Sequence, residues 1–270
     1  MEKMEPSATD APDFLWLHLR DLPYFRGMLR AVESAFYQEY QLTRPTLDIG
    51  CGDGHFASLT FKQKLDVGID PWAGPVREAH RRHAYRLLVQ GDGGHLPFPD
   101  GYFASGVSNS VLEHIPDVEA VLVETGRVLA PGALFLFCVP NPRYLSELAL
   151  PQIFRRAGVK RAGKAYRSWF RRATRVHHLD NATAWEARLE RSGFMLEKSW
   201  DYFSPAAMRA LEWGHYFGLP TLLPHFLFRR WILVPRRWNL ALTMRWARKF
   251  AVAEPHQEGT FTFFQARKVA

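Results

Sequence analysis

A glycine-dense turn directly after a short apolar run is the feature that most limits how this chain can fold. The turn and its flanks read Leu47-Asp48-Ile49-Gly50-Cys51-Gly52-Asp53-Gly54-His55-Phe56. Glycine has no Cβ atom, so the backbone of such a turn can approach a ligand closely, and the helix that follows directs free N–H groups at it. The segment therefore predicts a strand, a ligand-binding turn and a helix in succession.

Short apolar runs alternate with helical patterns along the chain. Seven runs are predicted to be strands, at residues 46–49, 65–69, 86–89, 103–107, 133–139, 194–199 and 261–266. Helical patterns and end signals predict helices at 24–39, 76–82 and 118–129, and one more between Asn181 and Gly193. This alternation is typical of an α/β fold, so we predict a doubly wound, mostly parallel seven-stranded sheet.

Two basic segments interrupt this regularity. Residues 148–179 contain nine Arg and Lys and no acid, and residues 213–253 contain seven and again no acid. The chain has 35 basic and 27 acidic residues, so the remainder has 35 minus 16, or 19, basic residues against 27 acidic ones, a net charge of −8. The total of +8 would suit nucleic acid, a membrane or an anionic substrate. Its distribution indicates an acidic body with two basic attachments.

The second basic segment falls in the long stretch between the sixth and seventh predicted strands. A structureless connection of that length is unusual in a compact domain, so we predict a helical insertion there. The expected organisation is an N-terminal tail and helix (1–40), a core (41–203) with a basic insertion at about 148–179, a basic aromatic cap (204–258) and the last core strand (259–270).

The cysteines and the apolar runs favour a cytoplasmic location. Cys51 and Cys138 lie in apolar stretches without metal-ligand spacing, so we expect neither a disulfide framework nor a metal site. The N-terminus has no apolar run after its charges, so no signal peptide is expected. No run reaches the ~20 apolar residues that a membrane-spanning helix needs.

Two classes of ligand compete for the glycine turn. A dinucleotide-binding turn has the pattern G-x-G-x-x-G/A, whose last small residue lets the helix pack on the strand. Counted from Gly50, that position is the bulky His55, and the spacing is instead G-x-G-x-G after Asp48. His55 therefore disfavours a nicotinamide-dependent oxidoreductase but does not exclude this alternative. A tight turn that binds no ligand is the other alternative.

The pattern resembles the class I S-adenosylmethionine-dependent methyltransferases, specifically the type 11-like methyltransferase domain. In that family an acidic residue, one further residue and G-x-G-x-G form the cofactor turn, which residues 48–54 match completely. The likeness continues through Gly68-Ile69-Asp70-Pro71, Gly91-Asp92-Gly93, Leu96 to Ala104, Asn109 to His114 and Val128 to Leu134. It covers residues 40–140 and implies a Rossmann-like fold and an enzyme that uses S-adenosylmethionine.

The resemblance also implies which residues bind this cofactor. Asp70 is expected to hydrogen-bond the two ribose hydroxyls. Asp92 is expected to lie near the adenine amino group, although Asp-Gly after a strand is also ordinary turn chemistry. The full set of expected cofactor contacts is Asp48, Gly50, Cys51, Gly52, Gly54, Asp70, Pro71, Asp92, Gly93 and Asn109.

Catalysis in this family is an in-line displacement at the sulfonium methyl group, so alignment and exclusion of water can supply most of the rate. An acceptor hydroxyl must lose a proton, and His114 after the fourth strand is the candidate catalytic residue for that step. The alternative for His114 is a helix-start histidine bonded to backbone. Tyr144, His177 and His178 are candidate substrate residues, with a surface loop as the alternative for the two histidines.

The basic aromatic cap suggests a partner. Its apolar stripe and flanking arginines are Trp238, Leu242, Trp246, Phe250, Arg237, Arg245 and Arg248. Such a stripe suits the headgroup layer of an anionic membrane surface, although packing on the protein's own core is the commoner outcome. Nucleic acid is not expected, because no recognised RNA-binding module surrounds these residues.

These features together predict an S-adenosylmethionine-dependent methyltransferase that O-methylates an apolar or anionic small molecule, which could be lipid-linked. We expect it in the cytoplasm, with peripheral contact to the inner face of the membrane as an option. The alternatives are a nicotinamide-dependent oxidoreductase and a non-catalytic membrane-docking protein that binds S-adenosylmethionine. The identity of the acceptor, the methylated atom, the need for a general base and the oligomeric state stay open.

Overall fold

A single sheet organises the structure, a computed structural model that describes residues 12–269. Its strands are β1 (Thr46–Ile49), β2 (Leu65–Asp70), β3 (Tyr85–Gln90), β4 (Phe103–Asn109), β5 (Leu129–Pro140), β6 (Phe194–Tyr202) and β7 (Phe261–Lys268). They lie in the order β3-β2-β1-β4-β5-β7-β6, and β7 runs antiparallel to both of its neighbours. The predicted α/β, Rossmann-like, mostly parallel seven-stranded sheet is confirmed.

Twelve helices accompany the sheet in the described part of the chain. They are α1 (Phe14–Leu19), α2 (Tyr24–Gln38), α3 (His55–Thr60), α4 (Ala73–Arg82), α5 (Val118–Val128), α6 (Arg143–Ser146), α7 (Ala149–Arg156), α8 (Lys160–Ala173), α9 (Ala182–Arg191), α10 (Pro205–Phe217), α11 (Leu222–Phe228) and α12 (Arg237–Ala247). Single 3₁₀ turns lie at Leu112–His114 and Leu219–Thr221. Helices α10 to α12 form the predicted helical insertion between β6 and β7.

The N-terminal helices differ from the expectation in one respect. The helix predicted at 24–39 is present as α2, but α1 occupies part of the expected tail, whose residues 1–11 lie outside the described residues. Leu15 and Leu19 of α1 are buried, and the Asp13 side chain caps the helix by accepting a hydrogen bond from the Trp16 amide. A helix of six residues is too short for a periodic pattern to reveal it.

Strand β5 divides the core into two halves. Leu136 and Cys138 face the layer that contains α1, α2 and α10, whereas Phe135 and Phe137 face α5 and α9. Successive side chains of a strand point to opposite faces, so one strand supplies both halves of the core. On the second face, the rings of Phe137 and Trp185 have centroids 5.5 Å apart.

Parallel register brings together the strand ends that carry the predicted site. Ile49 of β1 pairs with Ile69 of β2, and Asp70 of β2 pairs with Gln90 of β3. On the other side of β1, Asp48 pairs with Val107 of β4. The turns after these four strands therefore lie side by side at the carboxyl edge of the sheet, where ligands of parallel α/β sheets bind.

The two basic segments contact each other near α10. The buried carboxylate of Glu212 in α10 accepts hydrogen bonds from the amides of Ala149 and Leu150 at the start of α7. A carboxylate at this position satisfies N–H groups that have no partner inside the helix. In addition, the hydroxyls of Tyr166 in α8 and Tyr216 in α10 share a hydrogen bond of 2.5 Å. Helices α7, α8 and α10 therefore pack as one unit.

Two helical glycines allow a test of how tightly α5 packs on α9. A Cβ atom on Gly126 of α5 would lie 2.2 Å from the carbonyl oxygen of Ser192, whereas a Cβ atom on Gly74 of α4 would meet nothing within 4 Å. We expect Gly126→Ala to lower the free energy of unfolding by about 2 to 3 kcal/mol. The control Gly74→Ala should raise it by about 0.5 kcal/mol, because alanine loses less backbone entropy in a helix. Urea unfolding followed by circular dichroism measures both, and equal stability of the two variants would contradict the close packing.

Candidate active site

The glycine turn after β1 has a backbone conformation that residues with a Cβ atom rarely adopt. Gly50, Gly52 and Gly54 have φ angles of 75°, 54° and 70°, in the left-handed region that favours glycine. A Cβ atom on Gly50 would lie 2.3 Å from the Val111 side chain, but a Cβ atom on Gly52 would meet nothing within 4 Å. The turn is therefore packed against the protein at Gly50 and open at Gly52, where a ligand can approach the backbone.

Asp70, at the end of β2, holds this turn in place. Its carboxylate is buried and accepts hydrogen bonds from the amides of Gly52 and Trp72, both at 3.0 Å. Pro71 is exposed, and the Trp72 side chain is 69% exposed at the same edge of the sheet. Asp70 thus places a charged acceptor and an accessible indole ring beside the open side of the turn.

Asp92 and Gly93 follow β3 at the same edge. The Asp92 side chain is exposed and accepts a hydrogen bond of 2.9 Å from the Gly94 amide, which is the geometry of an ordinary turn. Because β2 and β3 are parallel neighbours, this turn lies next to the one that follows Asp70. The structure therefore brings Asp92 to the edge that Gly52 and Asp70 share.

Asp48 and Cys51 point into the protein. The Tyr85 hydroxyl donates a hydrogen bond of 2.6 Å to the Asp48 carboxylate, and burial raises the pKa of Asp48 to about 7. Burial also raises the pKa of the Cys51 thiol, which stays neutral. Tyr85 fits there because Gly68 has no side chain, as a Cβ atom would lie 2.8 Å from the tyrosine ring. These side chains support the turn from below.

Asn109 belongs to a buried polar cluster around Glu33 of α2. The Glu33 carboxylate accepts hydrogen bonds from Arg30, Asn109, Ser110 and Tyr202 at 2.9 to 3.2 Å. The amide oxygen of Asn109 accepts a further hydrogen bond from the Cys138 thiol. Both ends of the Asn109 side chain are therefore occupied within the protein, where they tie α2 to the end of β4.

A cavity of about 260 Å³ opens at the carboxyl edge between α2 and α10. Its lining residues are Phe25, Arg26, Leu29, Arg30, Ser110, Glu113, His114, Pro140, Tyr144, Thr174, Val176, Leu211, His215 and Phe261. A larger cavity of about 510 Å³ is lined by residues such as Thr46 and Leu65, which begin β1 and β2. That one lies at the amino edge of the sheet, so the smaller cavity is the candidate for a ligand.

Glu113 is the most unusual group of this cavity. It is 2% exposed, and its Oε2 atom has no hydrogen-bond partner in the described residues. Burial raises the pKa of Glu113 to about 8, so the carboxyl is mostly protonated at neutral pH. The amides of His177 and His178 both donate to its carbonyl oxygen, which fixes its backbone. Buried acids that lack a partner are rare away from functional sites.

The four sequence-predicted catalytic and substrate residues divide into two groups. His114 lines the cavity. Its Nδ1 atom donates a hydrogen bond of 3.0 Å to the Arg175 carbonyl, and its Nε2 atom lies 3.6 Å from the Glu113 carboxylate. Desolvation lowers the pKa of His114. Tyr144 is buried in the same wall. The His177 side chain is exposed, and His178 binds the Ile115 carbonyl and packs near Trp185. Neither of these two side chains lines the cavity.

Two arginines that the sequence reasoning missed also face the cavity. Arg26 and Arg30 lie one helical turn apart on α2. Arg30 donates to Glu33 and to the Asn109 carbonyl. Arg26 has no carboxylate within ion-pair distance among residues 12–269. Helical spacing placed both arginines on one face, but nothing in the sequence showed what that face meets.

The elevated pKa of Glu113 makes a prediction about stability. The folded state keeps a proton up to about pH 8 that an ordinary carboxyl with a pKa near 4.5 has lost. The contribution of Glu113 is therefore present at low pH and decreases as the pH rises from about 4.5 to 8.

We expect Glu113→Gln to become more stable relative to the native protein between pH 6 and 8.5, by at least about 1 kcal/mol, since one pKa unit corresponds to about 1.4 kcal/mol. Urea unfolding at the two pH values measures this difference. The titration of Asp48 contributes equally to the stability of both proteins, so it cancels from the difference. Glu190→Gln changes an exposed carboxylate and serves as the control. A difference that stays constant with pH would contradict the raised pKa.

Known proteins resemble this chain in sequence and in fold. The family described as "Methyltransferase domain" matches residues 47–137. A fatty-acid O-methyltransferase from Mycolicibacterium smegmatis is 39% identical over 104 residues, which are 36% of this chain and 38% of that protein. A malonyl-[acyl-carrier protein] O-methyltransferase from Geobacter sulfurreducens is 27% identical over 175 residues, 63% of this chain and 62% of that one. The chain thus spans less than two thirds of either relative.

A solved S-adenosylmethionine-dependent methyltransferase from Thermotoga maritima shares the fold. It is 14% identical, with a TM-score of 0.54 over 91% of both chains.

The region matched by the family contains the glycine turn and the neighbouring strand ends at the carboxyl edge of the sheet. It runs from β1 into β5 and includes the glycine turn, Asp70 and Asp92. His55, where a dinucleotide turn needs a small residue, is buried and lies 3.3 Å from the Asp21 carboxylate. The turn therefore carries a bulky, buried side chain at the position where a nicotinamide site needs a small residue. Residues 47–137 therefore match a methyltransferase domain in sequence, and the fold and the turn geometry agree with that match.

Proposed function

We propose that this protein transfers the methyl group of S-adenosylmethionine to a carboxylate oxygen of an apolar, acyl-type acceptor. The observation that carries this proposal is the cavity at the carboxyl edge of the sheet. Its wall is largely apolar, yet it includes Arg26, which is exposed to solvent and has no carboxylate partner in the described residues. An apolar cavity with one uncompensated cation fits a molecule that has an apolar body and an anionic group.

The cofactor would lie along the turns after β1, β2 and β3. S-adenosylmethionine supplies a methyl group on a sulfonium leaving group. Gly52 would accommodate its close approach, Asp70 would accept hydrogen bonds from the ribose hydroxyls, and Trp72 would stack on the adenine ring. Asp70 can do so because each of its oxygens accepts one backbone hydrogen bond and retains a free lone pair. Asp48 would act indirectly, by holding the turn through Tyr85.

The acceptor would bind with its carboxylate toward Arg26 and Arg30. A carboxylate is already ionised at neutral pH, so its oxygen can attack without a general base. Charge-assisted hydrogen bonds from the arginines would fix its orientation. Glu113 is protonated below pH about 8 and can donate a hydrogen bond into the cavity. His114 and Tyr144 would complete the wall and exclude water.

The names of the relatives support an acyl acceptor. One is named for O-methylation of fatty acids, and the other for O-methylation of malonyl-[acyl-carrier protein]. Both names describe an oxygen acceptor on an acyl compound, which is what an apolar cavity with an unpaired arginine suits. An acceptor with a long acyl chain would partition into lipid, so peripheral association with a membrane is compatible with this proposal but is not required by it.

A hydroxyl acceptor is the second candidate, and the Glu113–His114 pair favours it. The two side chains approach to 3.6 Å, and an ionised Glu113 could take the hydroxyl proton directly or orient His114 for that task. The two candidates differ in pH dependence. Activity on a carboxylate should fall above pH about 8 as Glu113 ionises and repels the acceptor, whereas activity on a hydroxyl should rise.

Cofactor binding is tested at Asp70. We expect Asp70→Asn to weaken the binding of S-adenosylhomocysteine by about tenfold to a hundredfold, because an amide replaces a charged acceptor. Isothermal titration calorimetry measures the dissociation constant. The control Asp53→Asn changes an exposed carboxylate on the same glycine turn and should bind normally. Unchanged affinity of Asp70→Asn would remove Asp70 from the cofactor site.

The acceptor is tested with methyl-labelled S-adenosylmethionine and two compounds of equal chain length, a fatty acid and a primary alcohol. We expect label in the fatty-acid ester and a rate that decreases above pH about 8. Arg26→Gln should raise KM for the fatty acid about tenfold to a hundredfold with little change in kcat, whereas the exposed Arg81→Gln should change neither. Label only in the ether would support the hydroxyl candidate. Cofactor binding without label in any extract component would instead indicate a non-catalytic protein.

A further inference from the structure

The exposed apolar side chains of the described residues are concentrated in one segment. Of 22 large apolar side chains exposed between residues 12 and 269, twelve lie between residues 217 and 246. They are Phe217, Leu219, Leu222, Leu223, Phe226, Leu227, Phe228, Leu233, Val234, Trp238, Leu242 and Trp246. We call these twelve side chains the apolar cap surface. A concentration of exposed apolar side chains next to basic residues is typical of an interaction site.

The core packing of the cap leaves this surface free. Helix α12 buries Leu240, Met244 and Ala247, while Trp238 and Leu242 on its other side are 75% and 82% exposed. Helix α11 buries none of its residues, and its Phe226 is 80% exposed. The stripe that the sequence analysis singled out is therefore divided. Trp246 is 38% exposed but lies with its ring 5.0 Å from that of Tyr24, and Phe250 packs against the core, whereas Trp238 and Leu242 face outward.

The charge around the apolar cap surface has one sign. Residues 213–253 contain no acid, and five of their seven basic residues have no ion pair among residues 12–269. These five are Arg229, Arg230, Arg236, Arg245 and Lys249. The other two, Arg237 and Arg248, contact Asp13. Helix α8, which belongs to the other acid-free segment, lies beside α10 through the Tyr166–Tyr216 hydrogen bond.

We propose that the apolar cap surface docks on a membrane that contains anionic phospholipids. Aromatic and aliphatic side chains of α11 and α12 would enter the interfacial layer while the arginines contact lipid phosphates. No helix in the described residues is long and apolar enough to cross a bilayer. Helices of seven and eleven residues would instead lie in the plane of the interface.

This docking would place the acceptor cavity next to the lipid, an extension that rests on the proposed function. Leu211 and His215 of α10 line the cavity, and the apolar cap surface begins two residues later at Phe217. Thr174 and Val176, which follow the basic α8, line the same cavity. An acyl acceptor could therefore enter the cavity between the two basic segments without passing through water.

Vesicle sedimentation tests the docking without any acceptor. We expect the full-length protein to bind phosphatidylcholine vesicles that contain phosphatidylglycerol, and to bind pure phosphatidylcholine at least about tenfold more weakly. The triple variant Phe226→Ser, Trp238→Ser, Leu242→Ser should lose at least about tenfold in partition coefficient. The matched control is Leu87→Ser, Val123→Ser, since both residues are 53% exposed and lie on β3 and α5, and it should bind normally.

A second pair of variants tests the charge. Arg229→Gln, Arg230→Gln should weaken binding to the anionic vesicles about tenfold or more, because each basic residue near such a surface contributes about fivefold. Arg81→Gln, Arg86→Gln removes the same charge from exposed positions on α4 and β3 and should have little effect.

Three results would overturn the proposal. They are equal vesicle binding by the triple variant and the native protein, equal binding to neutral and anionic vesicles, and a dimer in sedimentation equilibrium that only the triple variant abolishes. The last result would assign the apolar cap surface to a second copy of the chain. Vesicle binding without methyl transfer would support the docking and reject the proposed function. Methylation of a short, dispersed acyl acid without vesicle binding would support the proposed function and reject the docking.

Discussion

The buried carboxylate of Glu33 joins three parts of the fold that would otherwise be held only by apolar contacts. Its hydrogen bonds reach Asn109 and Ser110 at the end of β4, Tyr202 at the end of β6, and Arg30 on its own helix. Burying a charge is costly unless every lone pair finds a donor, and four donors meet that requirement here. The cluster thereby fixes α2 across the carboxyl edge. Every residue that α2 gives to the cavity depends on this position.

Glu33 and Glu113 show how the same side chain can serve two purposes at equal burial. Burial raises the pKa of both carboxyls, but Glu33 is surrounded by donors, whereas Glu113 keeps an oxygen without a partner in the described residues. The first arrangement stabilises one geometry. The second leaves a proton and a lone pair available to whatever enters the cavity. Their difference is therefore one of hydrogen bonding and not of desolvation.

The parts of the site that follow from local sequence were predictable. The glycine turn requires left-handed backbone at three nearby positions, and Asp70 follows a recognisable strand, so short-range pattern was enough to find both. Arg26 and Glu113 could not be found in this way, because they line one cavity only when α2 packs over the end of β4. The side chains of His177 and His178 illustrate the converse, since both were predicted to contact substrate, yet only their backbone amides bind a residue of the cavity.

The position of β7 has a consequence for how the chain is made. This strand lies between β5 and β6 and hydrogen-bonds to both, but it follows the whole of α10 to α12 in the sequence. During synthesis, helices α10 to α12, which carry many exposed apolar side chains, therefore leave the ribosome before β7 can pair with β5 and β6. At that stage the nascent chain exposes the unpaired edges of β5 and β6 together with the apolar helices of the insertion. The sheet can therefore close only in the last stage of synthesis, after the whole helical insertion has been made.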